Sequence, residues 1–237
     1  MINFPLETML EKCGRSGIAV DDTAQQRLQI YGNALIEWNE KMNLTAITEP
    51  NAVVTKHFLD CALLLKYVDI PQNASFIDVG TGAGFPGMVI KILRPDINLT
   101  LLDGLNKRLI FLNDVLSRTQ LCADTVHMRA EQAGQTPLRE QFDVASARAV
   151  AKQNVLLEYC MPFVKVGGVF AAMKGPDATA EIAVCGNAEK ILGGAKSQIF
   201  TEKLPPDMTR CFILTKKISQ TPSKYPRISA KISKQPL

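Results

Sequence analysis

The chain has 237 residues, 46% of them hydrophobic and 21% charged, which is enough apolar material for one substantial core. No run of residues approaches the roughly 18 apolar residues of a membrane span, and no basic stretch leads into an apolar segment at the start, so neither membrane insertion nor export is expected. The six cysteines include no Cys-x-x-Cys pair and no histidine cluster lies near them, which argues against a disulfide framework or a metal site and predicts reduced thiols in a cytoplasmic protein.

The net charge of +4 is concentrated towards the C-terminus. No acidic residue follows Asp207, whereas the basic residues that follow it are Arg210, Lys216, Lys217, Lys224, Arg227, Lys231 and Lys234. A block of like charge is either a solvated segment or a nucleic-acid contact, and composition alone leaves both interpretations open for the basic tail, 216–237.

The first part of the chain, 1–71, is predicted to be helical. Apolar residues recur there at helical spacing, at Leu28, Tyr31, Leu35 and Trp38 and then at Val53, Val54, Phe58, Ala62 and Leu65. Asn43 and Thr45 favour a turn between these helices, and Asn51 is predicted to cap the second one. Pro71 marks a junction with the rest of the chain.

From Ser75 onwards, short apolar runs alternate with helical stretches. The strands are predicted at 76–79, 99–102, 125–128, 144–145 and 169–173, and the helices at 88–93, 107–116, 154–164 and 178–192. A last hairpin is predicted around Ile199 and 211–214. This alternation predicts an α/β fold of the Rossmann-like type, with a mainly parallel sheet and an antiparallel C-terminal strand.

A glycine-rich segment, Phe76-Ile-Asp-Val-Gly-Thr-Gly-Ala-Gly-Phe-Pro-Gly87, joins the first predicted strand to a helix. Gly80, Gly82 and Gly84 allow tight turns and close approach of a ligand, and the helix N-terminus offers free N–H groups. The segment fits both a methyltransferase pattern from Gly80 and a dinucleotide pattern from Gly82. Asp78, two residues before the first glycine as is common in methyltransferases, favours S-adenosylmethionine (SAM) over a dinucleotide.

Further cofactor contacts are predicted after the next two strands. Asp103 ends the second strand about twenty residues beyond the glycines, where a carboxylate can accept hydrogen bonds from both ribose hydroxyls. Its alternative role is to cap the helix that starts near Asn106. Ala130 and Glu131 follow the third strand and are predicted to flank the adenine, although a solvated loop acid remains an alternative for Glu131.

The fourth strand leads into Ser146-Ala-Arg148, where methyltransferases keep catalytic groups. The sequence has neither the Asn/Asp-Pro-Pro-Tyr/Phe segment used on exocyclic amines nor a Pro-Cys nucleophile. A substrate atom with its own lone pair needs neither, and guanine N7 is such an atom. Because methylation of N7 removes no proton, positioning should dominate catalysis, and no catalytic role is assigned to His57 or His127.

Other basic and aromatic residues are candidates for positioning or RNA contact. Arg148 and Lys174 follow strands on the ligand side of an open sheet, so Arg148 is predicted to contact the cofactor and Lys174 a substrate phosphate or base. In the tail, the aromatic ring of Tyr225 and the guanidinium of Arg227 are predicted to stack on a base or contact a phosphate. The candidate RNA contacts are therefore Lys174, Tyr225, Arg227, Lys231 and Lys234.

These motifs, taken in order, resemble the bacterial small-subunit ribosomal RNA guanine-N7 methyltransferase family, also called glucose-inhibited division protein B. The matching residues run almost from end to end: Trp38-Asn-x-x-x-Asn-Leu-Thr45, His57-Phe-Leu-Asp60, the segment 78–87, Leu102-Asp103 with Lys107-Arg108, Arg129-Ala-Glu131, Ser146 and Arg148, Lys174-Gly175, and Tyr225-Pro-Arg227. The resemblance implies SAM as donor and a guanine of small-subunit ribosomal RNA as acceptor, free or in the 30S particle. It implies a cofactor contact set of Gly80, Phe85, Ala130, Glu131 and Arg148.

The resemblance also implies that 1–71 packs on 72–237, so that 1–237 is a single domain. The chain departs from the family pattern at Ala230 and Ile232, where a Gly-x-Pro element is usual, and at Cys61, where serine is expected. The loss of this turn leaves the tail's conformation open. A small-molecule SAM-dependent methyltransferase and a dinucleotide-binding oxidoreductase remain the alternatives to RNA methylation.

Overall fold

The computed structural model describes all 237 residues, Met1–Leu237. Its centre is a single seven-stranded sheet in the order β3-β2-β1-β4-β5-β7-β6. The strands are β1 (Ser75–Val79), β2 (Asn98–Asp103), β3 (Asp124–His127), β4 (Phe142–Arg148), β5 (Val164–Lys174), β6 (Gln198–Leu204) and β7 (Met208–Lys216). β1 to β5 pair in parallel, and β7 is antiparallel to both neighbours. The predicted fold class is therefore confirmed.

The strand order reverses at β1, which lies between β2 and β4. In open α/β sheets, ligands bind at such a switch point, outside the carboxyl ends of the strands. Every parallel strand of this sheet ends at that edge, so the glycine segment after β1 and the residues after β2, β3 and β4 meet there. We call it the carboxyl edge.

The helices after β1 and β2 agree with the sequence prediction, but later ones differ. They are α5 (Gly87–Leu93), α6 (Asn106–Thr119), α7 (Ala130–Ala133), α8 (Gln153–Cys160), α9 (Ala178–Ala183), α10 (Ala188–Ile191) and α11 (Ser229–Lys234). The prediction of one helix over 178–192 is wrong, because the chain breaks between α9 and α10 and Gly186 adopts a left-handed conformation with φ +53°. The short helix α7 was not predicted.

The N-terminal helices are α1 (Glu7–Arg15), α2 (Asp22–Asn39) and a continuous helical stretch over 50–66. That stretch begins as α3 (Pro50–Val53), widens into a π-helical segment (Val54–Leu59), and continues through α4 (Asp60–Ala62) into a 3-10 turn (Leu63–Lys66). Its cap is Glu49, whose carboxylate accepts from the Asn51 and Ala52 N–H groups, so the predicted cap at Asn51 is wrong. None of the helices is long and apolar enough to cross a bilayer.

Glu202 on β6 joins the N-terminal helices to the sheet. Its carboxylate accepts a hydrogen bond from Tyr67 Oη at 2.5 Å and pairs with Lys66 and, at 3.1 Å, with Lys12. Apolar contacts strengthen the junction, since one core cluster of 43 buried residues draws on both 1–71 and 72–237. We infer that these two parts unfold together.

Glu202→Gln should lower the free energy of unfolding at pH 7 and flatten its acid dependence. Burial opposes ionisation, but the Lys66, Tyr67 and Lys12 hydrogen bonds outweigh it and lower the pKa of Glu202 to about 2. A lowered carboxyl pKa gives stability that is full above about pH 5 and is lost as the pH falls towards 2, worth about 2 kcal/mol once the partly exposed lysines are allowed for. Thermal melts of the variant and the unchanged protein from pH 7 to pH 3 test this prediction. The same melts test whether the two parts of the chain unfold together, because two separate transitions in the unchanged protein would contradict a single folding unit.

The C-terminal segment is folded onto the core. Arg139 donates to the carbonyl oxygens of Tyr225 at 2.7 Å and Thr221 at 2.5 Å. Lys217 is fully buried, donates to Met161 O at 2.7 Å and Thr221 Oγ1 at 2.6 Å, and has its pKa lowered to about 8 by burial. The segment therefore reaches α11 along a defined path.

Gln153, the first residue of α8, is a buried residue whose side-chain amide has no partner. Neither Nε2 nor Oε1 makes a hydrogen bond, although the residue has no exposed surface. A buried amide without a partner costs about 1 to 3 kcal/mol. Gln153→Met has nearly the same volume and no amide, and it should raise the free energy of unfolding by a similar amount. Gln26→Met on the exposed face of α2 is the control, and equal changes in the two variants would refute the prediction.

Candidate active site

The glycine segment is shaped by one buried carboxylate. Asp78 accepts hydrogen bonds from Thr81 Oγ1 at 2.7 Å, Gly87 N at 2.9 Å and Ser146 Oγ at 2.9 Å, and it has no exposed surface. Burial raises the pKa of Asp78, and the three hydrogen bonds act in the opposite sense. Asp78 thus ties the loop after β1 to the start of α5 and to β4. Because it is buried, it can influence a bound ligand only by fixing the conformation of this loop.

The conformation of this loop requires glycine at two positions in particular. Gly80 has φ +69°, and a Cβ there would lie 2.8 Å from Val150 Cγ2. Gly84 has φ +96°, and a Cβ there would lie 2.7 Å from Leu112 Cδ2, Met88 Cγ and Tyr31 Oη. Val150 therefore packs closely against the backbone of Gly80, and Gly84 provides close packing against α2 and α6.

A cavity of about 410 Å³ opens beside Gly80 at the carboxyl edge. Asp103 stands in its wall, 3% exposed, and accepts from Gly82 N at 2.9 Å and Leu105 N at 2.8 Å. Arg108 Nη1 approaches the same carboxylate at 3.2 Å. Asp103 thus orders the loop before α6 and presents a carboxylate to the cavity, but it does not cap α6, whose N-cap residue is Leu105 and has no side-chain partner.

The rest of the cavity wall is apolar, with a few polar groups. Its apolar residues are Val79, Leu102, Leu105, Met128, Ala130, Ala149 and Val150. Glu131 lines the side after β3, and Tyr159 and Ser229 close the far side, with their hydroxyl oxygens 3.1 Å apart. The predicted contacts Gly80, Asp103, Ala130 and Glu131 therefore meet in one cavity.

Arg148 and Phe85 belong to a second cluster, next to the cavity on the side of the N-terminal helices. The Arg148 guanidinium lies 4.8 Å from the centre of the Phe85 ring and pairs with Asp60 at 3.1 Å. Asp60 is fully buried and also accepts from Arg210 Nε at 2.8 Å and Nη2 at 2.6 Å. One carboxylate therefore holds two arginines, and the cluster carries a net positive charge.

His57 completes this cluster as a neutral imidazole. His57 Nδ1 lies 3.0 Å from Arg148 Nη2 and 3.1 Å from the Lys56 carbonyl oxygen, and Nε2 lies 3.0 Å from Thr45 Oγ1. Because a guanidinium can only donate, we assign the ring proton to Nε2, which then donates to Thr45. The ring stacks on Phe85 at 4.3 Å between centroids. Burial, and then the Arg148 charge, lowers the pKa of His57 to about 3. His57 comes from the π-helical segment, a feature that often marks functional sites.

Several predicted site residues have other partners in the structure. Lys174 is 8% exposed and donates to Ala151 O at 2.6 Å and Glu181 at 2.7 Å, so its ammonium braces the loop after β4 and is not free for a substrate phosphate. Tyr225 is buried in the core, which removes its ring from base stacking. Arg227 pairs with the fully buried Glu158 at 2.5 Å. Only Lys231 and Lys234 of the proposed RNA contacts are exposed, on α11.

Two residues of the cluster, Asp60 and Arg210, were not assigned a role from the sequence. They lie 150 positions apart, so no local spacing could have joined them. The one available signal was the position of Asp60 within the family-like segment His57-Phe-Leu-Asp60.

The cavity suits the nucleoside part of SAM. Asp103 offers a carboxylate to two hydroxyls, and its oxygens retain acceptor capacity beside their backbone partners. The apolar walls fit a purine, and Gly80 lines the cavity, where its backbone could contact the chain that links sugar to sulfur. Arg148 and Phe85 lie in the neighbouring cluster and not in the wall of this cavity, and the Arg148 guanidinium is engaged by Asp60, His57 and the Lys56 carbonyl.

Comparison with solved structures agrees with this fold. A methyltransferase from Pyrococcus furiosus superimposes with a TM-score of 0.56 over 82% of this chain and 99% of its own, at 15% identity. A predicted O-methyltransferase from Agrobacterium tumefaciens gives 0.54 over 68% of this chain and 82% of its own, at 20% identity. At such low identity these likenesses establish the fold alone.

Sequence comparison identifies the family. Residues 24–207 match the model of the family described as rRNA small subunit methyltransferase G. The chain is 48% identical over 228 residues to ribosomal RNA small subunit methyltransferase G of Alkaliphilus metalliredigens, covering 95% of each chain. It is 47% identical over 232 residues to the protein of that name from Acetivibrio thermocellus, covering 97% of this chain and 95% of that one. The chain therefore belongs to the rRNA small subunit methyltransferase G family, and SAM is its methyl donor, as the glycine segment predicted.

Proposed function

We propose that the protein transfers the methyl group of SAM to N7 of a guanine in small-subunit ribosomal RNA, free or within the 30S particle, in the cytoplasm. The observation that supports N7 is the chemistry of the carboxyl edge. The side chains at this edge can position a substrate. Both ring nitrogens of His57 are engaged by Thr45 and Arg148, so this imidazole is not available to remove a proton.

The proposed roles follow from where each side chain stands. Asp103 holds the two ribose hydroxyls, and Ala130 and Glu131 lie beside the adenine. The backbone at Gly80 would hold the sulfur-bearing chain, and Arg148 in the neighbouring cluster would be the partner of its carboxylate; Gly82, Gly84 and Asp78 shape the loop. The sulfonium of SAM supplies an electrophilic methyl carbon. The N7 lone pair forms the new C–N bond as the C–S pair returns to sulfur, and the positive charge passes to the guanine.

Because no proton leaves the base, catalysis rests on holding N7 in line with the methyl group, which can contribute roughly 7 to 11 kcal/mol. Arg148, fixed by Asp60 and His57, is the positioning group nearest the loop that follows β4. Lys174 acts indirectly, because it holds the carbonyl of Ala151 in the same loop.

The rate should be nearly independent of pH between 5.5 and 7.5. An ordinary imidazole base would lose activity as it is protonated through a pKa near 6.5. The pKa of His57 is about 3, far below this range, so the ring stays neutral throughout. Single-turnover rates at saturating SAM and RNA test the prediction, and an acid limb centred between pH 6 and 7 would contradict it.

Methyl-labelled SAM and small-subunit RNA that lacks the modification test the proposed substrate class. Label should enter the RNA, as free RNA or in 30S particles, and not free guanosine or GTP. Label in small molecules with none in either RNA substrate would favour the alternative, a small-molecule methyltransferase on the same fold.

A further inference from the structure

Four exposed basic side chains at the carboxyl edge have no carboxylate partner. They contrast with Arg108, Arg148 and Lys174 of the same edge, which pair with Asp103, Asp60 and Glu181. The four, which we call the basic rim, are Lys56, Lys107, Arg129 and Lys152.

Lys56 and Lys152 stand where β4 ends. The Lys56 carbonyl accepts from Arg148 Nη1 at 3.0 Å, so the N-terminal helical stretch touches the last residue of β4 at this point. Lys152 precedes α8 and follows Ala151, whose carbonyl is bound by Lys174 at the end of β5. Neither of the two lines the cavity.

The other two members lie on the opposite side of the cavity. Arg129 follows β3 and lines the cavity, and its Cγ would lie 3.7 Å from a Cβ built on Gly104. Lys107 is in the first turn of α6, shortly after β2. The basic rim therefore brackets the opening from the ends of β2, β3 and β4.

The carboxylates closest to the opening do not cancel this charge at the surface. Asp60 and Asp78 have no exposed surface, and Asp103 has 3%. Each is already engaged by hydrogen bonds or ion pairs within the fold. Apart from Glu131, which is half-buried in the cavity wall, and Glu49 near Lys56, the exposed charge around the opening is supplied by ammonium and guanidinium groups.

We propose that the basic rim holds the phosphate backbone of the RNA substrate, so that the target guanine enters beside Gly80 while the flanking phosphates lie on Lys56 and Lys152 on one side and on Lys107 and Arg129 on the other. This inference rests on the proposed function, and it moves the main RNA contact from the basic tail to the carboxyl edge. Unpaired lysines and arginines bind phosphates without reading sequence, and a guanine in a loop can be splayed from its neighbours while its backbone is held. Lys231 and Lys234 would extend the same surface, because α11 starts at Ser229 in the cavity wall.

The test is a double variant, Lys56→Gln with Lys152→Gln, measured for RNA binding against salt concentration. Loss of two phosphate contacts should reduce the slope of log affinity against log salt by about 1.4 to 1.8 and weaken binding roughly 20- to 60-fold at 0.1 M salt. The affinity for SAM should stay within about twofold of the unchanged protein, because neither side chain lines the cavity. The Lys56→Arg, Lys152→Arg double variant should restore the slope.

The matched control is Lys196→Gln with Lys216→Gln. These lysines line a separate cavity of about 500 Å³ at the opposite edge of the sheet, where Lys216 pairs in register with Val169 of β5. The control removes the same charge and should leave both the slope and the affinity nearly unchanged. Equal losses in the two double variants would overturn the basic rim.

An unaltered slope in the rim variant, with RNA methylation by the unchanged protein intact, would overturn the basic rim and leave the proposed function standing. If the unchanged protein neither methylates small-subunit RNA nor binds it with a dependence on salt, the proposed function fails and the basic rim fails with it.

Discussion

Asp103→Ala should weaken the binding of SAM about 100-fold or more. The carboxylate is 3% exposed and faces the cavity, and two hydrogen bonds from hydroxyls to a charged acceptor contribute about 1.5 to 3 kcal/mol each. The variant also leaves the N–H groups of Gly82 and Leu105 without their acceptor, which loosens the loop. Calorimetric titration with SAM or S-adenosylhomocysteine measures the effect.

Arg108→Gln is the matched control for that variant. It removes the salt bridge to Asp103 but leaves the carboxylate in place, and the Arg108 side chain is 37% exposed. A half-exposed ion pair contributes little, so the affinity should change less than about threefold. A loss for Asp103→Ala no larger than that of the control would show that Asp103 does not bind the ribose.

Asp60→Ala should destabilise the fold and nearly abolish methyl transfer. Removal of one buried carboxylate leaves two arginines facing each other, with the Arg148 side chain 12% and the Arg210 side chain 20% exposed. Leaving buried charge without its partner costs about 3 to 5 kcal/mol. Arg148 would also lose its fixed position beside Phe85, so kcat should fall by about 100-fold or more, an effect of roughly 2.7 kcal/mol on the barrier.

Asp60→Asn separates these two effects. The amide retains one oxygen acceptor for the arginines but removes the charge, so it should fold better than Asp60→Ala while it remains slow at saturating SAM and RNA. Asp207→Ala, which breaks the exposed pair with Lys203, controls for the loss of an aspartate and should behave like the unchanged protein. Unchanged melting and unchanged kcat in Asp60→Ala would refute the positioning role.

The sequence predicted well what depends on neighbouring residues. The strand before Gly80, the helix after it and Asp103 at the end of β2 follow from local patterns of apolar residues and glycines, and the structure places Gly80 and Asp103 at one cavity. Because parallel strands end at the same edge, the order of strands and helices along the chain was enough to bring these residues together.

The sequence predicted poorly what depends on distant partners. The tail looked like free positive charge, yet Arg227 pairs with Glu158 on α8, 69 positions away, and Arg139 fixes the backbone of Tyr225. Lys174 looked like a phosphate ligand at a strand end, yet Glu181 from α9 already neutralises it. The two arginines that pair with Asp60, Arg148 and Arg210, come from β4 and β7, and no local spacing in the sequence predicts that these three residues meet.

Analysis of the methylated nucleoside decides whether guanine N7 accepts the methyl group. Small-subunit RNA that lacks the modification is incubated with the protein and methyl-labelled SAM, digested to nucleosides and separated by chromatography with mass detection. We expect label in 7-methylguanosine, and loss of this label in Asp103→Ala at limiting SAM. Label confined to any other nucleoside, such as an N6-methyladenosine or a 5-methylcytidine, would contradict it.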